Sequence, residues 1–160
     1  MIDLKGGKYK MQDRLIKKLW HTNKKKFINE FSILQTINSE GKFEHTYFER
    51  NPKTLQHERL SSCQIKELLC TGLKDSNGRL IFEGDILKET YDSEGKTYTD
   101  ITVVKYNEKS AGFIMARPAH EKDITYFDDI NLEKENFVVI GNIYENPELL
   151  EVSDGDNSSE

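Results

Sequence analysis

The sequence predicts a mainly β fold: a small barrel or sandwich of short antiparallel strands joined by hairpin turns, with room for one short helix. Three observations predict it. Turn signals recur at fairly regular spacing, at Asn38-Ser39-Glu40-Gly41, Asn77-Gly78, Asp92-Ser93-Glu94-Gly95 and Asn107-Glu108-Lys109-Ser110. Between them lie short apolar runs rich in β-branched and aromatic residues, which fit a pleated, half-buried surface. The chain is polar, 36% hydrophobic and 32% charged, yet 10% of it is aromatic, which argues against disorder of the whole. At 160 residues it is one domain, or one domain plus an appendage, long enough to bury a core without covalent staples.

Taken in order, residues 1–13 are Gly- and Lys-rich and are expected to be a poorly ordered basic extension. From Arg14 to Trp20 the apolar residues are Leu15, Ile16, Leu19 and Trp20, and His21-Thr22-Asn23-Lys24 reads as a turn. Phe27, Ile28, Phe31, Ile33 and Leu34 follow, and their β-branched and aromatic content predicts a hairpin over this region. A helix from Lys25 to Ile37 is the alternative, because Phe27, Phe31 and Leu34 are spaced four and three apart. Phe43, His45 and Tyr47 alternate with Lys42, Glu44 and Thr46, the period of a half-buried strand. Residues 50–62 are polar, contain Pro52 and read as a loop. Gln64 to Cys70 fits a strand or a short helical turn.

The stretch from Thr71 to Leu87 holds two breaks. Asn77-Gly78 is a strong hairpin signal and predicts positive φ at both residues. Glu83-Gly84-Asp85 is the second break, followed at once by Ile86 and Leu87. Strands are expected over 86–91, 98–106 and 111–116. Ile124 to Phe127 is a short apolar patch. Phe137-Val138-Val139-Ile140 is the most apolar run and predicts a central strand. One buried cluster is expected from Trp20, Ile86, Val103, Phe113, Val139, Ile140 and Ile143. Residues 151–160 have little to bury and are expected to be a disordered acidic tail.

The formal net charge is −5, which gives no general reason to expect duplex nucleic acid as a partner. It is unevenly spread: residues 1–30 hold nine Lys or Arg against Asp3, Asp13 and Glu30. Cys63 and Cys70, on one continuous strand, would lie too far apart for a disulfide. No signal peptide or membrane span is expected, and the cytoplasm is the expected location.

Two segments resemble the YopX family of small phage- and prophage-encoded proteins. The first is Thr71-Gly72-Leu73-Lys74-Asp75-Ser76-Asn77-Gly78-Arg79-Leu80-Ile81-Phe82-Glu83-Gly84-Asp85-Ile86-Leu87. The second, from Val139-Ile140-Gly141-Asn142 through Asn146-Pro147 to Leu150, looks like the family's closing motif. A third, weaker one runs from Arg14 to Trp20 and on to Phe27, with His21 where an Asp is usual. The resemblance covers residues 14–150 and marks them as a YopX-like β domain. It implies a phage or prophage origin. It implies no activity and no catalytic residues.

The residues themselves offer little chemistry. Gly84-Asp85 reads first as a capped turn. Asp75, Asn77 and Gly78 suggest a calcium loop, but the further acidic ligands are missing. His21, His45, His57 and His120 lie at no metal-ligand spacing with one another or with the cysteines. Asp128-Asp129, adjacent on a strand, would point to opposite faces. No phosphate loop, nucleophile elbow or paired carboxylates appear, so no enzyme, cofactor or metal is expected. The expected function is a non-enzymatic accessory protein that binds a macromolecule, in the first place another protein. The alternative is a single-stranded nucleic-acid binder. Its contacts would be Lys17, Lys18, Trp20, Lys24, Lys25, Lys26, Tyr47, Phe48 and Arg50, with aromatics for stacking and cations for phosphates. The oligomeric state is open.

Overall fold

The computed structural model describes residues 17–118, 120–127 and 136–154. The expected basic extension, the residues 14–16 of the opening strand, the pair Asp128-Asp129 and residues 155–160 lie outside them. The fold is mostly β, built of antiparallel hairpins and sheets. The chain divides into two compact units, Lys18–Leu68 and, as the second, the residues from Leu69 onward together with Lys17.

The first unit takes in β1 (Lys17–His21) from Lys18 onward and β2 (Lys26–Ile28), which pair as a hairpin. Then come β3 (Phe31–Ile37), β4 (Phe43–Arg50) and β5 (His57–Leu60), a three-stranded sheet in that order. A 3-10 turn, Ser62–Gln64, leads into β6 (Ile65–Lys74), which carries the chain into the second unit. The hairpin reading of this region holds and the helix over Lys25–Ile37 does not form. Its helical spacing loses to the strand alternation of Phe31 and Ile33, which pack on a core of Leu19, Ile28, Tyr47 and Leu60. The loop expected over 50–62 is corrected in part: it contains β5, whose side chains are exposed except at Leu60. An edge strand held by main-chain pairing to β4 needs only one apolar anchor, so it leaves no alternating pattern.

The second unit contains β7 (Leu80–Phe82), β8 (Asp85–Ser93), β9 (Lys96–Asn107), β10 (Gly112–Arg117), β11 (His120–Tyr126) and β12 (Phe137–Asn142). The last five make one sheet in the order β11-β10-β9-β8-β12. Leu87, Val104, Met115, Phe137 and Val139 share one face and form its core with Leu73, Ile81 and Phe127. Ile86, Val103, Ile114 and Ala116 on the opposite face are buried too. Both faces being covered explains the apolar runs in this half.

Several expectations are corrected here. The residues expected to form one cluster do not. Val139 belongs to a cluster of the second unit, with Phe113 packed against that cluster, whereas Trp20 is buried in the first unit and Ile86 and Val103 lie on the opposite face of the five-stranded sheet. Ile140 and Ile143 are only half-buried. The β12–β8 register shifts between Val139 and Gly141, so Ile140 sits in a bulge. β12 lies at the edge of its sheet, not in the centre. The 3-10 segment Pro147–Asp154 runs into the stretch expected as tail. The Asn77-Gly78 hairpin forms, but only Gly78 has positive φ. Asp75 begins a type I turn, with the Gly78 N–H donating to the Asp75 carbonyl at 2.9 Å. This three-residue loop places only its last residue in the left-handed region.

Candidate functional site

The most distinctive sequence motifs converge on a network of buried polar bonds in the second unit. Asp85 is fully buried. Its Oδ2 accepts from the Phe82 N–H at 2.8 Å and its Oδ1 from the Asn142 side-chain amide at 3.0 Å. Asn142 Oδ1 in turn accepts from the Tyr144 N–H at 3.1 Å. Gly84, at φ +82°, accepts from the Ile143 N–H at 2.9 Å, and a Cβ there would lie 3.2 Å from the Tyr144 ring. The two motifs therefore lock together main chain to side chain. Asp85 is the turn cap expected of it, extended to a second strand end.

Asp75 forms a similar bridge. Its Oδ1 accepts from the N–H groups of Asn77 and Arg79, and its Oδ2 from the Val139 N–H at 3.0 Å. The Ser76 N–H and hydroxyl both donate to the Phe137 carbonyl. The hairpin tip thus satisfies the outer edge of β12, which lets an apolar edge strand avoid unwanted pairing. These carboxylates organise main chain.

Of the residues expected to contact nucleic acid, all but Lys17 lie in the first unit, on β1, the turn after it, β2 and β4, and the structure gives most of them other partners. Trp20 and Tyr47 are buried. Trp20 packs edge-on against Phe27, centroids 5.0 Å apart, and Lys18 Nζ sits 5.6 Å over the Phe27 ring. Lys26 and Lys24 reach Glu49 at 2.7 and 3.6 Å. The hydrogen bond from Lys26, outweighing burial, holds the Glu49 carboxyl below its ordinary value. Arg50 faces Glu30 at 3.7 Å. Lys25 is exposed in the turn, while Lys17 and Phe48 are half-buried. Neither Trp20 nor Tyr47 offers an open ring face for a base to stack on.

His21 is buried, and its Nδ1 accepts from the Lys24 N–H at 3.3 Å. Burial first, then Lys24, lowers its pKa from the ordinary 6.5. Tyr47 belongs to a polar string. Its O–H donates to Glu67 Oε1 at 3.1 Å, and His45 Nδ1 lies 3.2 Å from the same oxygen. Gln35 Nε2 meets His45 Nε2 at 3.2 Å, which makes the ring the Nδ1–H tautomer donating to Glu67. Burial, then the charge of Glu67, pushes the Tyr47 phenol up to about 12.

Beside this string, β5 ends at Leu60 while β4 runs on to Phe43. The gap is a cleft of about 380 Å³ lined by His45, Thr46, Arg59, Leu60, Ser61 and Ser62. Sequence reasoning missed it, because Arg59, Ser61 and Ser62 fall in the stretch that reads as a loop. The same face of the β3–β4 hairpin that buries Ile33 and Tyr47 ends in Ile37 opposite Phe43. These are 64% and 67% exposed, and Leu34 on the other face is 53% exposed. In the second unit, Tyr91 and Tyr98 stack at 5.6 Å near the β8–β9 turn. They lie beside Asp100, which raises the Tyr91 pKa and pairs with Arg117 at 2.6 Å. Among the described residues, no group of three or more His, Cys, Asp or Glu could hold a metal ion. Neither Cys63 nor Cys70 forms a disulfide; the former is exposed and the latter buried. No helix among those residues is long and apolar enough to cross a membrane.

The sequence matches the family described as YopX protein over residues 18–151. The chain belongs to the YopX family. Its fold is similar to the crystal structure of protein yopX from Bacillus subtilis. That likeness has 20% identity and a TM-score of 0.55, and covers 86% of this chain and 98% of that one. It also resembles the crystal structure of protein EF1440 from Enterococcus faecalis. There the identity is 24% and the TM-score 0.48, over 84% of this chain and 96% of that one. None of the curated proteins matches it. The motifs that carry the family resemblance are the ones that form the Asp85–Asn142 and Asp75–Val139 bridges, so in this chain they serve the architecture.

Proposed function

We propose that this YopX-family chain is a non-enzymatic accessory protein that acts by binding another protein, and that the β3–β4 hairpin is the surface it presents. The observation that carries the reading is the exposed apolar end of that hairpin, Leu34, Ile37 and Phe43. Ile37 and Phe43 are directly cross-strand, so they form one patch rather than scattered residues. β3 is also an edge strand, and Phe31–Ile37 contains no charge and no Pro. Edges are normally blunted by such residues, and an open one suits a partner strand added by main-chain pairing. The phage or prophage origin comes to this reading from the family resemblance, and the cytoplasm of a host cell from the cysteine usage and the expected lack of a signal peptide or membrane span.

The test is affinity capture of the tagged full chain from host cells, with and without nuclease, beside an Ile37→Asp/Phe43→Asp variant. The expected result is a defined protein recovered despite nuclease and lost with the variant. Nuclease-sensitive recovery, or equal recovery with the variant, overturns the reading.

A further inference from the structure

We propose that the cleft at the end of β5 binds the phosphate group of a small phosphomonoester. The strand register builds the site. Arg59 pairs with Phe48, and Tyr47 pairs with Leu60. Thr46 is two residues from Phe48, and Ser61 is two from Arg59 in extended backbone. By the two-residue period of strands, Thr46, Arg59 and Ser61 share one face. Ser62 follows where the chain turns away into the 3-10 segment. The cleft therefore gathers one guanidinium and three hydroxyls around an opening of about 380 Å³, the lower end of the range for small-ligand sites.

The chemistry of the lining favours an oxyanion. None of the lining residues is acidic. Arg59 makes no ion pair among the described residues, whereas Lys24, Lys26, Arg50 and Arg117 each face a carboxylate. A guanidinium offers a planar fork of donors that matches two phosphate oxygens, and hydroxyls supply donors to the third. Ser61 Oγ is positioned by Cys63 Sγ at 3.1 Å. His45 closes the wall with its ring held by Gln35 and Glu67. Glu67, which is not among the lining residues, accepts at Oε1 from the Tyr47 O–H and from His45 Nδ1. An open cleft of this size accepts a phosphate with a small organic group behind it, against Leu60.

The full chain, labelled with ¹⁵N, would be titrated at constant ionic strength with inorganic phosphate, then with 5′-AMP, then with an oligothymidine single strand. Saturable amide shifts are expected at Thr46, Arg59, Ser61 and Ser62 with phosphate, and tighter binding with 5′-AMP. Arg59→Gln should weaken binding by about tenfold or more while leaving the rest of the spectrum folded, and Arg59→Lys should weaken it less, since it keeps charge but loses the fork. Arg50→Gln, at a cation already paired, should change nothing. Absence of saturable shifts, equal binding by Arg59→Gln, or oligothymidine binding these residues more tightly than 5′-AMP would each overturn the proposal.

Discussion

The five-stranded sheet of the second unit and the β3–β4–β5 sheet of the first use the same antiparallel pairing to opposite ends. The five-stranded sheet buries both faces, and its outer edge at β12 is covered by the Asp75 hairpin. The three-stranded sheet buries one face only at its base, and its edge strand β3 lies open. The first arrangement places carboxylates where they satisfy main chain. The second leaves apolar side chains and a guanidinium directed at solvent. Recognition belongs where the fold has left groups without internal partners.

Removing the carboxylate at the centre of the closed region should have the largest effect. Asp85→Ala would strand the Phe82 N–H and the Asn142 amide in a fully buried site. Urea unfolding should show a loss of about 3 kcal/mol or more. A loss below about 1 kcal/mol would mean that the motif does not hold the sheet as described. Asp75→Ala should cost somewhat less, about 2 kcal/mol, because the hairpin tip can recruit water for the Asn77 and Arg79 amides. Its specific sign would be faster amide exchange at Val139, whose N–H loses its acceptor.

Titration separates the regions next. Tyr47 has its pKa raised to about 12, so the folded state holds that proton more tightly than the unfolded chain, whose value is 10.0. Its contribution is present below pH 10 and should fade as pH rises toward 12. Tyr47→Phe should remove this alkaline limb. His21 has its pKa lowered from 6.5, so the unfolded chain binds the proton more readily. Stability should fall as pH drops below 6.5, and His21→Gln should flatten that slope. Unfolding midpoints across pH test both.

The smallest effect on stability should come at the open hairpin. Leu34→Lys, Ile37→Lys and Phe43→Lys should each change stability by no more than about 0.5 kcal/mol, as exposed positions do. A large loss would show the patch to be part of a core and remove the contrast with the closed sheet.

Much of the fold was legible because turn chemistry is local. Asn38-Ser39-Glu40-Gly41 and Asp92-Ser93-Glu94-Gly95 turn the chain where their residue types predict, the first through the Asn38 side chain accepting from residues two and four ahead, the second through positive φ at Glu94 and Gly95. Asp75 shows the limit of such reading. Its turn was visible, but its carboxylate decides the turn type, and Asn77 keeps negative φ as a result. β5 was hidden because an edge strand with one buried residue carries no alternation. The cleft was hidden with it.

The sequence by itself determined the β class, the hairpins, the breaks at Gly78 and Gly84, and the family. All of these rest on residues within a few positions of one another. Tertiary structure alone decided the partners. Val139 reaches Asp75 across 64 positions, and Asn142 reaches Asp85 across 57. It also decided that Trp20 and Tyr47 turn inward, that Glu49 pairs with both Lys24 and Lys26, and that Arg59 and Thr46 line one open cleft. A lysine or an aromatic has the same sequence pattern whether it faces a carboxylate, a core or solvent. Only the register that brings distant strands together sets its surroundings, and those surroundings set the energy of its burial or charge.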